Sequence, residues 1–165
     1  MSLGRRLERA INVTRQLRVI TKPLLTDNWR YLEYLLEVAD SSVTYRTRYY
    51  TTLQPLAVMD VLMLDETNPR SLEFQLNHLV DLYQKLPRHD PEDLKTMQVA
   101  LDQLRAVDLQ SMIYPAPDTS DRRGTGLRRL DRYLGDLEKL LPAWSNNLSS
   151  RYFSHARTLP NNMGQ

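Results

Sequence analysis

Apolar residues recur along most of the chain at the three- and four-residue spacing of an amphipathic helix. The first stripe covers residues 3–20, and Lys22-Pro23 is predicted to end this helix because proline disfavours helical backbone in the residue before it. The strictest stripe consists of Leu127, Leu130, Leu134, Leu137 and Leu141. Because β-branched runs are few, the pattern predicts an all-α fold, a bundle of about six helices.

Two helices are predicted between the first stripe and the middle of the chain. Thr26 or Asp27 provides a cap for a helix that should run to about Tyr49. Pro55 suits the first turn of a short helix, Leu56 to Leu64. This segment is apolar nearly all round, so we expect it to be central and buried.

Two further helices are predicted by a capping residue that is followed by proline. The first begins at Asn68-Pro69 and is stopped by Pro87, and the second begins at Asp90-Pro91 and continues to about Met112. Residues 114–126 combine Pro, Gly, Ser, Thr and Asp, a composition that predicts a long loop before the last helix.

The last helix is expected to reach about residue 153, and Pro142 is expected to kink it. We therefore predict one helical domain over residues 1–153 and a frayed tail over residues 154–165.

Composition removes several classes of chemistry. The 165 residues include no cysteine, which excludes disulfides, thiolate metal sites and cysteine nucleophiles within this chain. The mean hydropathy is -0.52. The longest nearly apolar run is Leu56 to Leu64, which is too short for a membrane span. The first twenty residues are Arg-rich and lack a signal-peptide pattern, so we expect a cytoplasmic protein.

Charge is spread unevenly along the chain although the net charge is only +2. Residues 1–30 carry +5 and residues 113–165 carry +3, whereas residues 31–112 carry −6. The basic ends are expected to lie against the acidic middle or an acidic partner. Nucleic-acid binding through these ends is a third functional reading, although such proteins usually show a larger basic excess on one face.

Side chains that suggest binding chemistry fall into three short segments, each of which also has a structural interpretation. Tyr45, Arg46, Arg48 and Tyr49 would form a partner surface, or else the amphipathic end of a helix. The segment with Asp65, Glu66, Asn68 and Arg70 would ligate Mg²⁺ through its carboxylate oxygens, or else form a capped junction between helices in which Arg70 pairs with an acid. Arg122, Arg123, Gly124 and Gly126 would hold an anion at a helix start, or else belong to a flexible linker capped by Thr125.

Histidine chemistry is not indicated by the sequence. His78, His89 and His155 lie far apart and belong to no recognised catalytic motif. We therefore predict no catalytic residue, no metal site and no cofactor.

Three segments of the chain carry a resemblance to a known family: residues 3–10, LGRRLERA, residues 39–49, ADSSVTYRTRY, and residues 58–72, VMDVLMLDETNPRSL. The first resembles the motif helix of the bacterial Alpha-E domain family, a helical family named for a glutamate–arginine motif. The other two resemble further segments of that family, and all three occur in the family's order. The resemblance covers residues 3–86 well. Family members are typically longer and carry the motif helix twice, so the chain resembles the C-terminal half of such a protein.

The resemblance implies a biological context more than a reaction. Alpha-E domains are encoded beside, or fused to, ATP-grasp-like and transglutaminase-like proteins, in systems thought to make or modify peptides. We therefore expect a non-catalytic accessory module that binds one of these proteins. A half-domain would leave an apolar stripe uncovered, so a homodimer is a further expectation. The alternative is an enzyme component that binds phosphate or Mg²⁺ through Glu8 and Arg9 together with Asp65 and Glu66.

The motif itself suggests a polar network between helices. Arg5, Glu8 and Arg9 share one helix face, where Glu8 can pair with Arg5 and leave Arg9 for another helix. We predict that Arg9 meets an acid of the middle segment, with Asp60, Asp65 and Glu66 as candidates. Asp60 lies in an apolar helix and is itself expected to need an arginine partner.

Overall fold

The computed structural model describes residues 3–25, 30–49, 52–114 and 122–153, without the side chains of residues 22–25, 122, 123 and 153. These ranges contain eight α-helices and no strand. The helices are α1 (Leu3–Leu25), α2 (Arg30–Val38), α3 (Ser42–Tyr49), α4 (Pro55–Met63), α5 (Leu72–Tyr83), α6 (Pro91–Arg105), α7 (Leu109–Ile113) and α8 (Arg122–Phe153). Within these ranges, no helix combines the length and the apolar character that crossing a bilayer requires.

The two longest helices, α1 and α8, pack against each other along their apolar stripes. The five leucines of the strict repeat in α8 are buried, as are Leu7, Ala10, Val13, Leu17 and Ile20 of α1. At the edge of this contact, Arg18 Nη1 lies 2.6 Å from Glu138 Oε2, and Thr21 donates a 3.0 Å hydrogen bond to Asp131. The helical periodicity therefore predicted both buried faces correctly.

The basic ends of the chain pair with acids from two different regions. Arg15 and Arg18 of α1 form ion pairs with Glu138 of α8. Arg151, near the end of α8, pairs with Asp90 at the start of α6, at 2.6 Å. The ends therefore lie partly against each other and only partly against the acidic middle.

Helix α4 is the most completely buried element of the fold. Its fully or nearly fully buried residues are Ala57, Val58, Met59, Val61, Leu62 and Met63. It contacts α1, α2, α3, α5 and α7. The predicted central apolar helix is confirmed, with Pro55 in its first turn as expected.

The prediction of an unbroken helix to Tyr49 is wrong, because residues 39–41 separate α2 from α3. Asp40 adopts a left-handed conformation with φ of 51°. The Ser41 N–H donates to the Leu36 carbonyl at 2.8 Å, and the Asp40 N–H donates to the Glu37 carbonyl at 3.0 Å. This is a Schellman ending with aspartate where glycine is usual.

Three other predicted boundaries also change. Helix α1 continues through Pro23, since a proline in the last turn costs only one backbone donor. Helix α5 begins after Ser71, whose hydroxyl accepts the Phe74 N–H at 3.0 Å, and not at Asn68-Pro69. The helix predicted to reach Met112 ends at Arg105 and restarts as α7, where the Asp108 side chain caps the Ser111 N–H. The breaks at Asp40 and Asp108 explain why about six predicted helices become eight.

The predicted loop over residues 114–126 is partly helical. Residues 115–121 lie outside the described residues, but α8 already begins at Arg122. Gly126 lies against α7, where an added Cβ would come within 2.8 Å of the Met112 Cα. This glycine therefore allows two helices to approach closely, and it does not belong to a flexible linker. The proposed cap at Thr26 or Asp27 and the tail over residues 154–165 lie outside the described residues.

The contact at Gly126 generates a test with a built-in control. Gly126→Ala should destabilise the protein by roughly 1–3 kcal/mol, because the new methyl group meets backbone of α7, which cannot move like a flexible side chain. Gly4→Ala meets nothing within 4 Å and should be neutral or slightly stabilising through higher helix propensity. Urea unfolding followed by circular dichroism measures both. Equal stability of the two variants would contradict the packing role of Gly126.

Candidate functional site

Asp65 is the centre of a polar cluster between α3 and α5. Its side chain is 2% exposed, and the residue comes directly after Leu64, the C-cap of the apolar helix α4. Arg48 of α3 donates to Asp65 Oδ2 at 2.6 Å, while the Thr67 N–H and hydroxyl donate to Oδ1 at 2.9 and 2.7 Å. Both carboxylate oxygens are therefore engaged within the chain.

Asn68 and Ser71 complete this cluster, which we call the Asp65 cluster. The Asn68 amide donates to the Val61 carbonyl at 2.9 Å and to the Ser41 hydroxyl at 3.3 Å, and its oxygen accepts the Arg70 N–H at 3.0 Å. The Ser71 hydroxyl donates to the Asp65 carbonyl at 2.6 Å. Asn68 is thus committed to joining α4 to the α2–α3 turn, which explains why Ser71, and not Asn68, caps α5.

The tyrosines of α3 point into the protein. Tyr45 is 1% exposed; its hydroxyl donates to the Thr52 carbonyl and accepts the Gln54 N–H. Tyr49 donates to Asp60 at 3.0 Å, and burial together with this contact raises the pKa of Tyr49. The described partner of Asp60 is therefore a phenol where the sequence predicted an arginine.

The residues predicted as a partner surface on α3 have mostly intramolecular contacts. Arg48 reaches Asp65 and Thr67, and Tyr45 and Tyr49 bind as described above. Arg46 is exposed and lines a small cavity with Glu33 and Glu37 of α2. The aromatic bodies of this segment thus serve the fold.

A second feature is a cavity of about 240 Å³ beside the Asp65 cluster. Its charged lining residues are Arg9 of α1, Asp40 of the α2–α3 turn and Arg70, which precedes α5. Arg70 and Asp40 form an ion pair with each other within this lining. The remaining lining residues are Asn12, Val13, Gln16, Val38 and Ala39. The structure thereby brings one residue or more from each of the three segments of the sequence resemblance to a single place.

The glutamate and arginine of the motif helix face different surroundings. Arg9 lines the cavity with Asp40 and Arg70, whereas Glu8 is exposed and lines a separate depression facing Pro142 and Ser145 of α8. Neither of these cavities is lined by Asp65 or Glu66. Two of the acids predicted to meet Arg9, Asp60 and Asp65, accept hydrogen bonds from α3.

Arg6 contacts α5 and has a structural role that the sequence-based predictions did not include. Its guanidinium lies 5.0 Å from the centre of the Phe74 ring, and Nη1 donates to Gln75 Oε1 at 3.3 Å. Burial and the neighbouring Arg9 lower the pKa of Arg6. The available signal was its spacing, since Arg6 precedes Ala10 and Val13 by four and seven residues on the core-facing stripe.

The other predicted sites are described only in part. Gly124 and Gly126 lie within α8, and the side chains of Arg122 and Arg123 are outside the described residues. The His78 ring stacks on Phe74, and the His89 ring packs edge-on against Tyr83, whereas His155 is not described. Throughout the described part of the chain, no three His, Asp or Glu side chains are grouped so that they could hold a metal ion.

Comparison with protein families gives a match over nearly the whole chain. A family model named Alpha-E, described as a predicted alpha-helical domain with a conserved ER motif, matches residues 1–153. Comparisons with curated proteins and with solved structures give no match.

The burial of Asp65 leads to a prediction about stability, for which the exposed neighbour Glu66 provides the control variant. Asp65→Ala should destabilise the protein by about 2–4 kcal/mol, because it strips Arg48 and two Thr67 donors of their shared acceptor. Glu66→Ala removes an exposed acid next to it and should change stability by less than about 0.5 kcal/mol. Thermal and urea unfolding of both variants test this. A stable Asp65→Ala protein would show that the cluster does not hold α3 to the connection between α4 and α5.

Proposed function

The chain belongs to the Alpha-E family, and we propose that it is a non-catalytic helical module that binds a partner protein in a bacterial peptide-modifying system. The partner we propose is an ATP-grasp-like or a transglutaminase-like protein, the two classes implied by the family resemblance. Placement of the system in the cytoplasm is part of the same proposal.

The proposal is supported by the contacts of the polar residues in the family segments, which lie within the fold. Asn68 donates to the Val61 carbonyl, and Ser71 donates to the Asp65 carbonyl. Arg48 pairs with the Asp65 carboxylate, and Tyr49 donates to Asp60. Such contacts fix the register of helices, which is a structural role. With no cysteine among these 165 residues, any thiol chemistry of the system is supplied by residues outside them.

One observation carries the proposal: an exposed apolar stripe on the outer face of α2. Tyr31, Tyr34 and Val38 follow one another at helical spacing and are 46%, 65% and 45% exposed. The opposite face of the same helix buries Leu32, Leu35 and Leu36. Tyrosines in such positions are enriched in protein interfaces, since they bury a large body and keep a polar tip.

Charge around the stripe indicates what kind of surface would cover it. Glu33 and Glu37 are exposed on α2 beside the stripe, and the chain segment 31–112 carries a net charge of −6. A complementary surface would present an apolar centre with a basic rim. A partner with that arrangement would cover the tyrosines and pair with both glutamates.

Binding of purified partners to purified variants tests the proposal. The wild-type chain should bind the ATP-grasp-like or the transglutaminase-like protein encoded next to it, as measured by titration calorimetry. Tyr31→Ser and Tyr34→Ser together should weaken that binding at least about tenfold, because interface tyrosines typically contribute more than 1 kcal/mol each. Each candidate partner is titrated separately, so that the two classes are distinguished.

Tyr114 provides the matched control, since it is 46% exposed like Tyr31 but lies beyond α7. Tyr114→Ser should leave binding unchanged. The proposal fails if neither candidate binds, or if Tyr114→Ser weakens binding as much as the stripe variants do. Light scattering after size exclusion addresses the remaining expectation: a dimer that the stripe variants dissociate would assign the stripe to a second copy of this chain instead.

A further inference from the structure

We propose that the cavity between α1, the α2–α3 turn and Arg70 is a binding site for a small ligand that carries an oxyanion, a carboxylate or a phosphate. This inference is independent of the partner-binding proposal, because it concerns a neighbouring surface that shares only Val38 with the stripe. It shares Arg9 with the phosphate or Mg²⁺ site considered above for Glu8, Arg9, Asp65 and Glu66, but the three acids of that site line no part of this cavity.

The charge of the lining favours an anion. Two guanidinium groups, Arg9 and Arg70, share the cavity with one carboxylate, Asp40. Arginine is suited to oxyanions because its planar fork donates two parallel hydrogen bonds. The two carboxamides of the lining, Asn12 and Gln16, offer further N–H donors and also acceptors for a ligand hydroxyl or amine.

Arg70 is held in place and retains donor capacity. Its backbone N–H is fixed by Asn68 Oδ1 at 3.0 Å, and its side chain contacts Asp40 through one terminal nitrogen, Nη2. A guanidinium has five N–H donors in total, so this contact leaves it able to hold an oxygen of a ligand as well. The Asp65 cluster therefore preorganises one wall of the cavity.

The lining beside Arg70 includes a strained residue. Asp40 has a φ of 51°, a conformation that costs free energy for any residue other than glycine and is tolerated best by Asn and Asp. Glycine would remove the strain but also the carboxylate that orients Arg70. A left-handed aspartate at this position is therefore explained by a requirement for its side chain beside Arg70.

The size and apolar part of the lining restrict the ligand. A volume of about 240 Å³ is below the range typical of sites for drug-sized molecules, so a ligand of roughly amino-acid size fits. Val13, Val38 and Ala39 provide an apolar patch for a short aliphatic group. A small molecule with an oxyanion at one end and an aliphatic part at the other matches this lining.

The experiment measures the thermal midpoint and calorimetric affinity of the wild-type chain with defined probes. The probes are inorganic phosphate, N-acetylalanine and N-acetylalaninamide, the last being an uncharged match for the second, all against sodium chloride at equal ionic strength. We expect phosphate or N-acetylalanine to bind and raise the midpoint, and N-acetylalaninamide to have no effect. Phosphate and N-acetylalanine separate a phosphate ligand from a carboxylate ligand.

Variants assign the binding to this cavity. Arg9→Met and Arg70→Met should each weaken it at least about tenfold, whereas Arg5→Met, which removes an exposed arginine of the same helix outside the cavity, should leave it unchanged. Asp40→Asn should strengthen binding several-fold, because it removes the competing negative charge, while the asparagine side-chain oxygen can still accept from Arg70 and asparagine tolerates the left-handed backbone. General structural damage would not produce such a gain.

A further variant keeps the test decisive if an arginine replacement unfolds. Gln16→Glu adds a negative charge to the lining at a partly exposed position and should abolish binding without loss of fold. The proposal is overturned if no probe acts beyond the chloride control, if Arg5→Met is as weak as Arg9→Met, or if Asp40→Asn weakens binding.

Discussion

A carboxylate with 2% of its side chain exposed has to be neutralised, and the pairing of Asp65 with Arg48 is the constraint from which the rest of this structure follows. The pair holds α3 against the connection between α4 and α5. Thr67 donates to the same carboxylate, and the Asn68 N–H and the Ser71 hydroxyl donate to the Asp65 carbonyl, so that these contacts fix the path of the connection. Because the connection is fixed, the direction in which Arg70 leaves it is fixed as well.

The two surfaces of interest meet at the end of α2. Val38 ends the exposed stripe with Tyr31 and Tyr34, and it also lines the cavity of Arg9, Asp40 and Arg70. A protein seated on the stripe would therefore reach the mouth of the cavity. The Schellman ending at Asp40 positions both features, since it terminates α2 and turns the Asp40 carboxylate towards Arg70.

Local signals were reliable where one residue decides the local backbone. Pro55 and the Asp90-Pro91 pair start helices as predicted, and the leucines of α8 are buried as predicted. The break at residues 39–41 was missed because the segment keeps helical spacing and contains no glycine. Asp40 can adopt the left-handed conformation there because Arg70 and the Ser41–Asn68 contact hold the turn from outside.

The sequence by itself determined the all-α class, the apolar faces of α1, α4 and α8 and the membership of the Alpha-E family, since these depend on periodicity, capping residues and motif order. Only the tertiary structure decided which side chains share a site. Arg9, Asp40 and Arg70 are separated by about thirty residues each along the chain, and Gly126, predicted in a loop, lies in a close contact between α8 and α7. The physical reason is that the partners of buried polar groups depend on the geometry between helices: Asp65 pairs with Arg48, Asp60 accepts from Tyr49, and Arg9 lines the same cavity as Arg70 and Asp40.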